Sequence, residues 1–285
     1  MLFRSNEGRS SATTMLTLSS LRHLLEEAEG LDEKAKKLLG FTDNRQDASL
    51  QAGHFNDFVQ ILLLRSALLA AIQSAPDHVL RDENLTGQVF THLRLASTDF
   101  LANAEARGNR LEQARRTLRD VLGYRLYFDL KRGWRLMNPN LEQIGLLEIR
   151  YAGLDECVGD QEIWNDTHPL LANASPEIRG KICRHLLDIM RRGLCIKTIY
   201  LDGQLQEQVR NRSFSDLKEP WGLAPDERMF VAAVMIPAYQ TGLARDRTPT
   251  LNISIRSRFG RFLKLRSTWG QQATGYPAKF NEEAY

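Results

Sequence analysis

At 285 residues with 42% hydrophobic content, the chain is long enough to bury one large or two modest cores, and its composition is that of a globular protein. Its 38 Lys and Arg nearly balance 35 Asp and Glu, so the net charge of +3 excludes a surface of one sign throughout, and any basic patch must be local. Cys157, Cys183 and Cys195 are too few and too irregular for a disulfide framework or a zinc knuckle, the apolar run 61–72 carries Arg65 and is too short to cross a bilayer, and the opening MLFRSNEGRS lacks the apolar core of an export signal. The expectation is a cytoplasmic protein with no membrane partner.

Residues 14–28 place Leu16, Leu18, Leu21, Leu24 and Leu25 near helical spacing, which predicts an amphipathic helix. After the turn-like Gly30-Leu31-Asp32 comes the apolar run 38–42, short enough for a buried parallel strand. From Asn44 the apolar residues recur every three or four positions with no proline before Pro76, so one long helix is predicted. Two further helices are expected over 85–105 and 111–130, separated by Arg107-Gly108-Asn109.

Pro139-Asn140 opens a short helix that Gly145 ends, and 146–151 alternates as a strand would. Ser175-Pro176-Glu177 is a strong start for a helix over 178–192, and 195–201 follows as a second strand or extended edge. Beyond Arg210 prolines punctuate short apolar runs and the pattern is loop-rich. Arg256, Arg258, Arg261, Lys264 and Arg266 read as a basic helix face.

Residues 37–48, KLLGFTDNRQDA, set an apolar strand before a polar turn and an Arg at the start of a helix. A strand delivering the chain to a helix N-terminus offers free N–H groups and the positive end of the helix dipole to a phosphate. Thr42, Asn44 and Arg45 would then grip a nucleic-acid backbone; equally, Asp43 or Asn44 caps the helix and Arg45 pairs with Asp47. The fuller stretch GFTDNRQDASLQAGHFNDF resembles the motif opening the second RecA-like domain of superfamily-two helicases, specifically large bacterial DEAD/DEAH-box members with long insertions in that domain. The regions TLRDVLGYRLYFDLKRGWRLMNPNLEQIGLLEIRY and RHLLDIMRRGLCIKTIYLD resemble that insertion, which implies winged-helix-like folding.

The resemblance implies a mainly α chain with small β elements: the incomplete start of a RecA-like domain over 1–75, a helical, winged-helix-like insertion over 76–209, and its helical and loop-rich continuation over 210–285. It implies DNA as the partner, together with the first RecA-like domain of a longer parent. No G-x-x-x-x-G-K-[ST] occurs, and no Asp-Glu pair carries the Ala-Asp or Ala-His that such helicases place after it. ATP and magnesium are therefore expected to belong to the parent and no cofactor to this chain, which is expected to be truncated at the front and to stop before the arginine-finger motif that Arg258 to Arg266 only imitates.

On the helix over 178–192 the apolar residues Ile178, Ile182, Leu186, Ile189 and Met190 take one side, leaving Arg179, Lys181, Arg184, Arg191 and Arg192 mostly elsewhere. Arg184 and Arg191 are the candidate phosphate contacts there, against a merely solvated face. The six histidines lack metal-binding spacing, so no metal is expected, and Trp134, Trp164, Trp221 and Trp269 suit core packing or base stacking. A self-standing winged-helix-type DNA-binding or regulatory protein is the alternative function. An independent hydrolase using His54 and Asp57 lacks an identifiable nucleophile.

Overall fold

Runs of apolar residues at three-and-four spacing, free of internal proline, make this a mainly helical chain with a small two-stranded sheet. The computed structural model describes residues 6–26, 32, 35–38, 45–131, 139–224, 227, 229–237 and 249–270, with backbone alone for 6–12, 26 and 45–57. The chain divides into two compact units: Met1–Arg119 with Ser215–Gly222, and Asp120–Phe214 with Leu223–Tyr285.

The first unit begins with α1 (Asn6–Glu26) and the long α2 (Arg45–Ser74), which ends just before Pro76 as its sequence predicts. The predicted strand over 38–42 lies outside the described residues apart from Leu38. The helix expected over 85–105 is divided into α3 (Asp82–Leu93) and α4 (Ser97–Phe100), because Arg94 turns left-handed at φ 51°. Helix α2 packs against α1 and α3, burying Leu64, Ala67 and Ala71.

A distant segment completes this unit. Leu101 bridges Leu217 in antiparallel fashion, Ala102 N–H donates to Asp216 O at 3.1 Å, and Lys218 N–H donates to Phe100 O at 2.9 Å. The Asp216 carboxylate accepts from Thr117 Oγ1 at 2.8 Å and from Gln113 Nε2 at 3.3 Å, both on α5 (Asn109–Asp129). Helix α5 gives its residues up to Arg119 to this unit and the rest to the second.

In the second unit the later part of α5 buries Val121, Leu122 and Leu126, each worth about 1.5–3 kcal/mol when removed from water. Gly123 lets the Tyr200 ring lie directly on the helix: a Cβ there would sit 2.4 Å from Tyr200 Cε1. Tyr124, Phe128 and Phe230 stack in series at 5.8 and 4.9 Å, and the Tyr124 hydroxyl accepts from Phe230 N–H at 3.2 Å. Burial pushes the Tyr124 phenol up to about 12, against the lowering effect of that hydrogen bond.

The short helices α6 (Leu154–Gly159), α7 (Gln161–Asn165) and α8 (Pro169–Ala172) lead into α9 (Pro176–Arg192). Its start follows the sequence: Ser175 Oγ accepts from Ile178 N–H and Pro176 takes the first turn. After a 3-10 turn at Ile199–Leu201 comes α10 (Gly203–Asp216), then β1 (Val234–Pro237) and β2 (Thr250–Ile253), paired in parallel with Val234 opposite Thr250. The basic stretch 256–266 is two helices, α11 (Arg258–Leu263) and α12 (Arg266–Trp269), separated where Leu265 becomes extended. Ile182 of α9, Ile253 of β2, Phe259, Leu263 and Trp269 form one buried cluster; Leu154, Val158 and Trp164 form another.

Neither predicted strand at 146–151 or 195–201 forms. Residues 147–151 run without a paired neighbour among the described residues, and the second run, entered from Leu194 at φ 60°, ends in the 3-10 turn at Ile199–Leu201 rather than in a strand. The two strands that do form lie in the stretch predicted to be loop-rich.

Candidate nucleic-acid interface

Arg45 is the first described residue of α2. Thr42 and Asn44 lie outside the described residues, as does the side chain of Arg45. Of the other two predicted phosphate contacts, Arg184 faces outward: its side chain is 46% exposed and stands 3.7 Å from a Glu148 oxygen, a separation worth little in water.

Arg191 faces inward. Its side chain is 5% exposed, and its guanidinium donates through Nη1 to Glu142 Oε2 at 2.9 Å, through Nη2 to Glu142 Oε1 at 2.6 Å and Asp188 Oδ1 at 3.0 Å, and through Nε to the Tyr151 hydroxyl at 3.1 Å. Arg192 adds a bond to Glu142 at 3.1 Å, while Tyr151 donates to Asp188 at 2.7 Å. Four of the roughly five N–H donors of a guanidinium are thus engaged by protein groups at Arg191, and its charge is paired within the unit.

The turn carrying Glu142 is built for this. Asn140 Oδ1 accepts from Gln143 N–H and Gln143 Oε1 accepts from Asn140 N–H, each at 2.9 Å, a reciprocal box that fixes one helical turn. Gly145 closes it at φ 75°, with Leu146 N–H donating to Leu141 O and Gly145 N–H to Glu142 O. The glycine-ended helix read from the sequence is therefore this single turn. Burial pushes the Glu142 and Asp188 carboxyls up, but the Arg191 guanidinium, with Arg192 beside Glu142 and the Tyr151 hydroxyl on Asp188, outweighs it and holds both below their ordinary values. Burial and the Asp188 bond push the Tyr151 phenol up to about 12.

Arg179 is also internal, at 1% exposure. It donates through Nε to Leu171 O at 2.9 Å and through Nη2 to Ala172 O at 2.6 Å and Gln161 Oε1 at 2.8 Å, with the guanidinium 5.1 Å from the Trp164 ring. The sequence reading missed this because α9 buries two rows: Ile178, Ile182, Leu186 and Ile189 toward one cluster, Cys183 and Leu187 toward the other. Arg179 and Arg191 stand four residues beyond Cys183 and Leu187 on that second row, so helical geometry carries both inside. The signal was present as the i, i+4 series 179, 183, 187, 191.

Burial raises the thiols of Cys183 and Cys195, with Cys157 adding to the effect at Cys183, so neither has the depressed pKa of an activated nucleophile. What remains outward on α9 is Lys181, Arg184 and part of Arg192. No protein-family model, no curated protein and no solved structure matches this chain.

Proposed function

We propose that this chain is a nucleic-acid-gripping segment of an ATP-driven DEAD/DEAH-box helicase, with motor activity residing in a longer parent. The observation that carries this reading is the sequence Gly40-Phe41-Thr42-Asp43-Asn44 leading into the long helix α2 (Arg45–Ser74). A helix N-terminus offers unpaired N–H groups to a phosphodiester, and the resemblance names Thr42, Asn44 and Arg45 as the residues that would hold it and release it as a motor steps. Arg184 is the second contact in this proposal; Arg191 is not, since its fork is engaged by Glu142, Asp188 and Tyr151.

The RecA-like reading covers 1–75. The winged-helix-like reading of 76–209 and its continuation draws support from α9 packing on the small sheet through Ile182 and Ile253, although β1 and β2 are parallel where a wing is an antiparallel hairpin. The chain's residues do not fit the parent's nucleotide: neither the phosphate loop nor the magnesium-binding carboxylate motif occurs in the sequence, and no group of three His, Cys, Asp or Glu able to hold a metal occurs among the described residues. No step of ATP hydrolysis is derived from them.

The test is binding of the full chain to single-stranded and duplex DNA as salt is raised. Affinity should fall steeply with salt for the wild type, and Arg45→Ala and Arg184→Ala should each lower the slope of log K against log salt by about 1. Unchanged affinity in the folded Arg45→Ala variant would overturn the reading of α2.

A further inference from the structure

Charge is unevenly placed along this chain. Between Arg247 and Asn281 there is no Asp or Glu, although the whole sequence holds 35 of them. Arg256, Arg258, Arg261, Lys264 and Arg266 all lie in this acid-free stretch, all are exposed, and none makes an ion pair among the described residues. By contrast Arg150, Arg191, Arg192 and Arg212 are each paired with a carboxylate.

Helix geometry arranges them. On α11 the residues Phe259, Gly260 and Leu263 are buried, while Arg258, Arg261 and the capping residue Lys264 recur every third position along the opposite, outer row. Ser257 Oγ accepts from Gly260 N–H at 3.1 Å and fixes the start of the helix, so the row is presented from a capped element held by buried Phe259 and Leu263. Arg256 stands just before that cap, and Arg266 opens α12. Lys181 Nζ donates to Ser267 O, which brings another ammonium from α9 to the same helix.

We propose that the outer row of α11, flanked by Arg256 and Arg266, is a contact surface for a nucleic-acid phosphodiester backbone. Cations at helical spacing with no ion pair among the described residues complement a line of phosphates, and guanidinium forks take phosphate oxygens in pairs. An anionic membrane fits less well, because Phe259 and Trp269 are buried at 8% and 1% exposure and Phe262 is partly buried against the same cluster, which leaves no fully exposed aromatic anchor among the described residues 256–269. The inference shares its ligand class with the proposed function and rests on that reading for it, but a separate set of residues carries it.

The test uses the full chain with fluorescently labelled single-stranded and duplex DNA between about 50 and 200 mM salt. The variant Arg258→Gln/Arg261→Gln/Lys264→Gln alters only exposed side chains and is compared with the charge-matched control Arg81→Gln/Arg150→Gln/Lys197→Gln, exposed elsewhere. The α11 variant should bind at least about tenfold more weakly, with the salt slope reduced by about 2–3, across all sequences tested. Equal loss in the control would reduce the effect to net charge and overturn the proposal. So would wild-type affinity in the α11 variant, and so would loss of binding to phosphatidylserine vesicles with DNA affinity unchanged. Weakening by Arg45→Ala but not by the α11 variant would sink this inference and leave the reading of α2 standing; the reverse would do the opposite. A folded wild type that binds no DNA at low salt would overturn both.

Discussion

Arg191 and Glu142 meet fork to fork, Nη1 on Oε2 at 2.9 Å and Nη2 on Oε1 at 2.6 Å, with the Arg191 side chain 5% and the Glu142 side chain 18% exposed. Two parallel charge-assisted bonds in a dry setting tie α9 to the turn at Asn140–Gly145 more firmly than any surface pair would.

Arg191→Ala removes the central partner and leaves Glu142 and Asp188, in a partly buried site, with Arg192 as their one remaining cation among the described residues. The expected loss is about 3–5 kcal/mol, read as a lower urea midpoint, and Arg191→Lys should recover only part of it because a compact ammonium cannot reproduce the planar fork that reaches Glu142, Asp188 and Tyr151 together. A loss below about 1 kcal/mol would mean that the pair behaves as a solvated surface bridge.

His185 gives the stability a pH dependence near neutrality. Its ring stacks on Phe262 at 3.8 Å, and its Nε2 is buried without a hydrogen-bond partner among the described residues. Burial lowers its pKa, with Asp188 raising it in opposition and Arg192 lowering it further. The neutral ring is therefore the native form: its contribution is fully present above the unfolded value of about 6.5 and is lost as pH falls from there through the depressed folded value. Unfolding free energy should decline as pH falls below about 6.5, and His185→Phe, which keeps the stack and removes the ring nitrogens, should flatten that decline. An equally steep decline in the variant would assign the effect to another group.

Gly123→Ala should destabilise by about 1–3 kcal/mol, because the new methyl would lie 2.4 Å from Tyr200 Cε1 and the ring must move off α5. Helix propensity alone would favour alanine by about 1 kcal/mol, so the two effects oppose each other and the sign decides between them. Combining Gly123→Ala with Tyr200→Leu should give a loss smaller than the sum of the two single losses in thermal unfolding, as expected when both report one contact.

The strongest local signals proved legible. Ser175-Pro176 announced α9, and the proline-free run after Asn44 announced α2. What failed was long-range information: 146–151 alternates like a strand but has no neighbour to pair with among the described residues, whereas β1 and β2, each four residues long and bordered by Pro237 and Pro249, find each other in parallel across an intervening stretch that no local pattern marks. Helix α10 was missed because QLQEQVRNRSFSD shows few apolar residues, its buried positions including Gln206 and Ser213. At the candidate site, Arg184 was read as outward and is; Arg191 was read the same way, because one apolar face was assumed where α9 buries two.

The bridge between Leu101 and Leu217 sets an order of events during synthesis. The first unit draws Ser215–Gly222 into its fold, and the Asp216 carboxylate joins Thr117 and Gln113 there. A ribosome working at about 5–20 residues per second must make roughly a hundred residues after Arg119 before this strip emerges, an interval on the order of 5–20 s. For that time Leu101 and Thr117 wait without their partners Leu217 and Asp216, so the unit encoded first in the chain is also among the last to close.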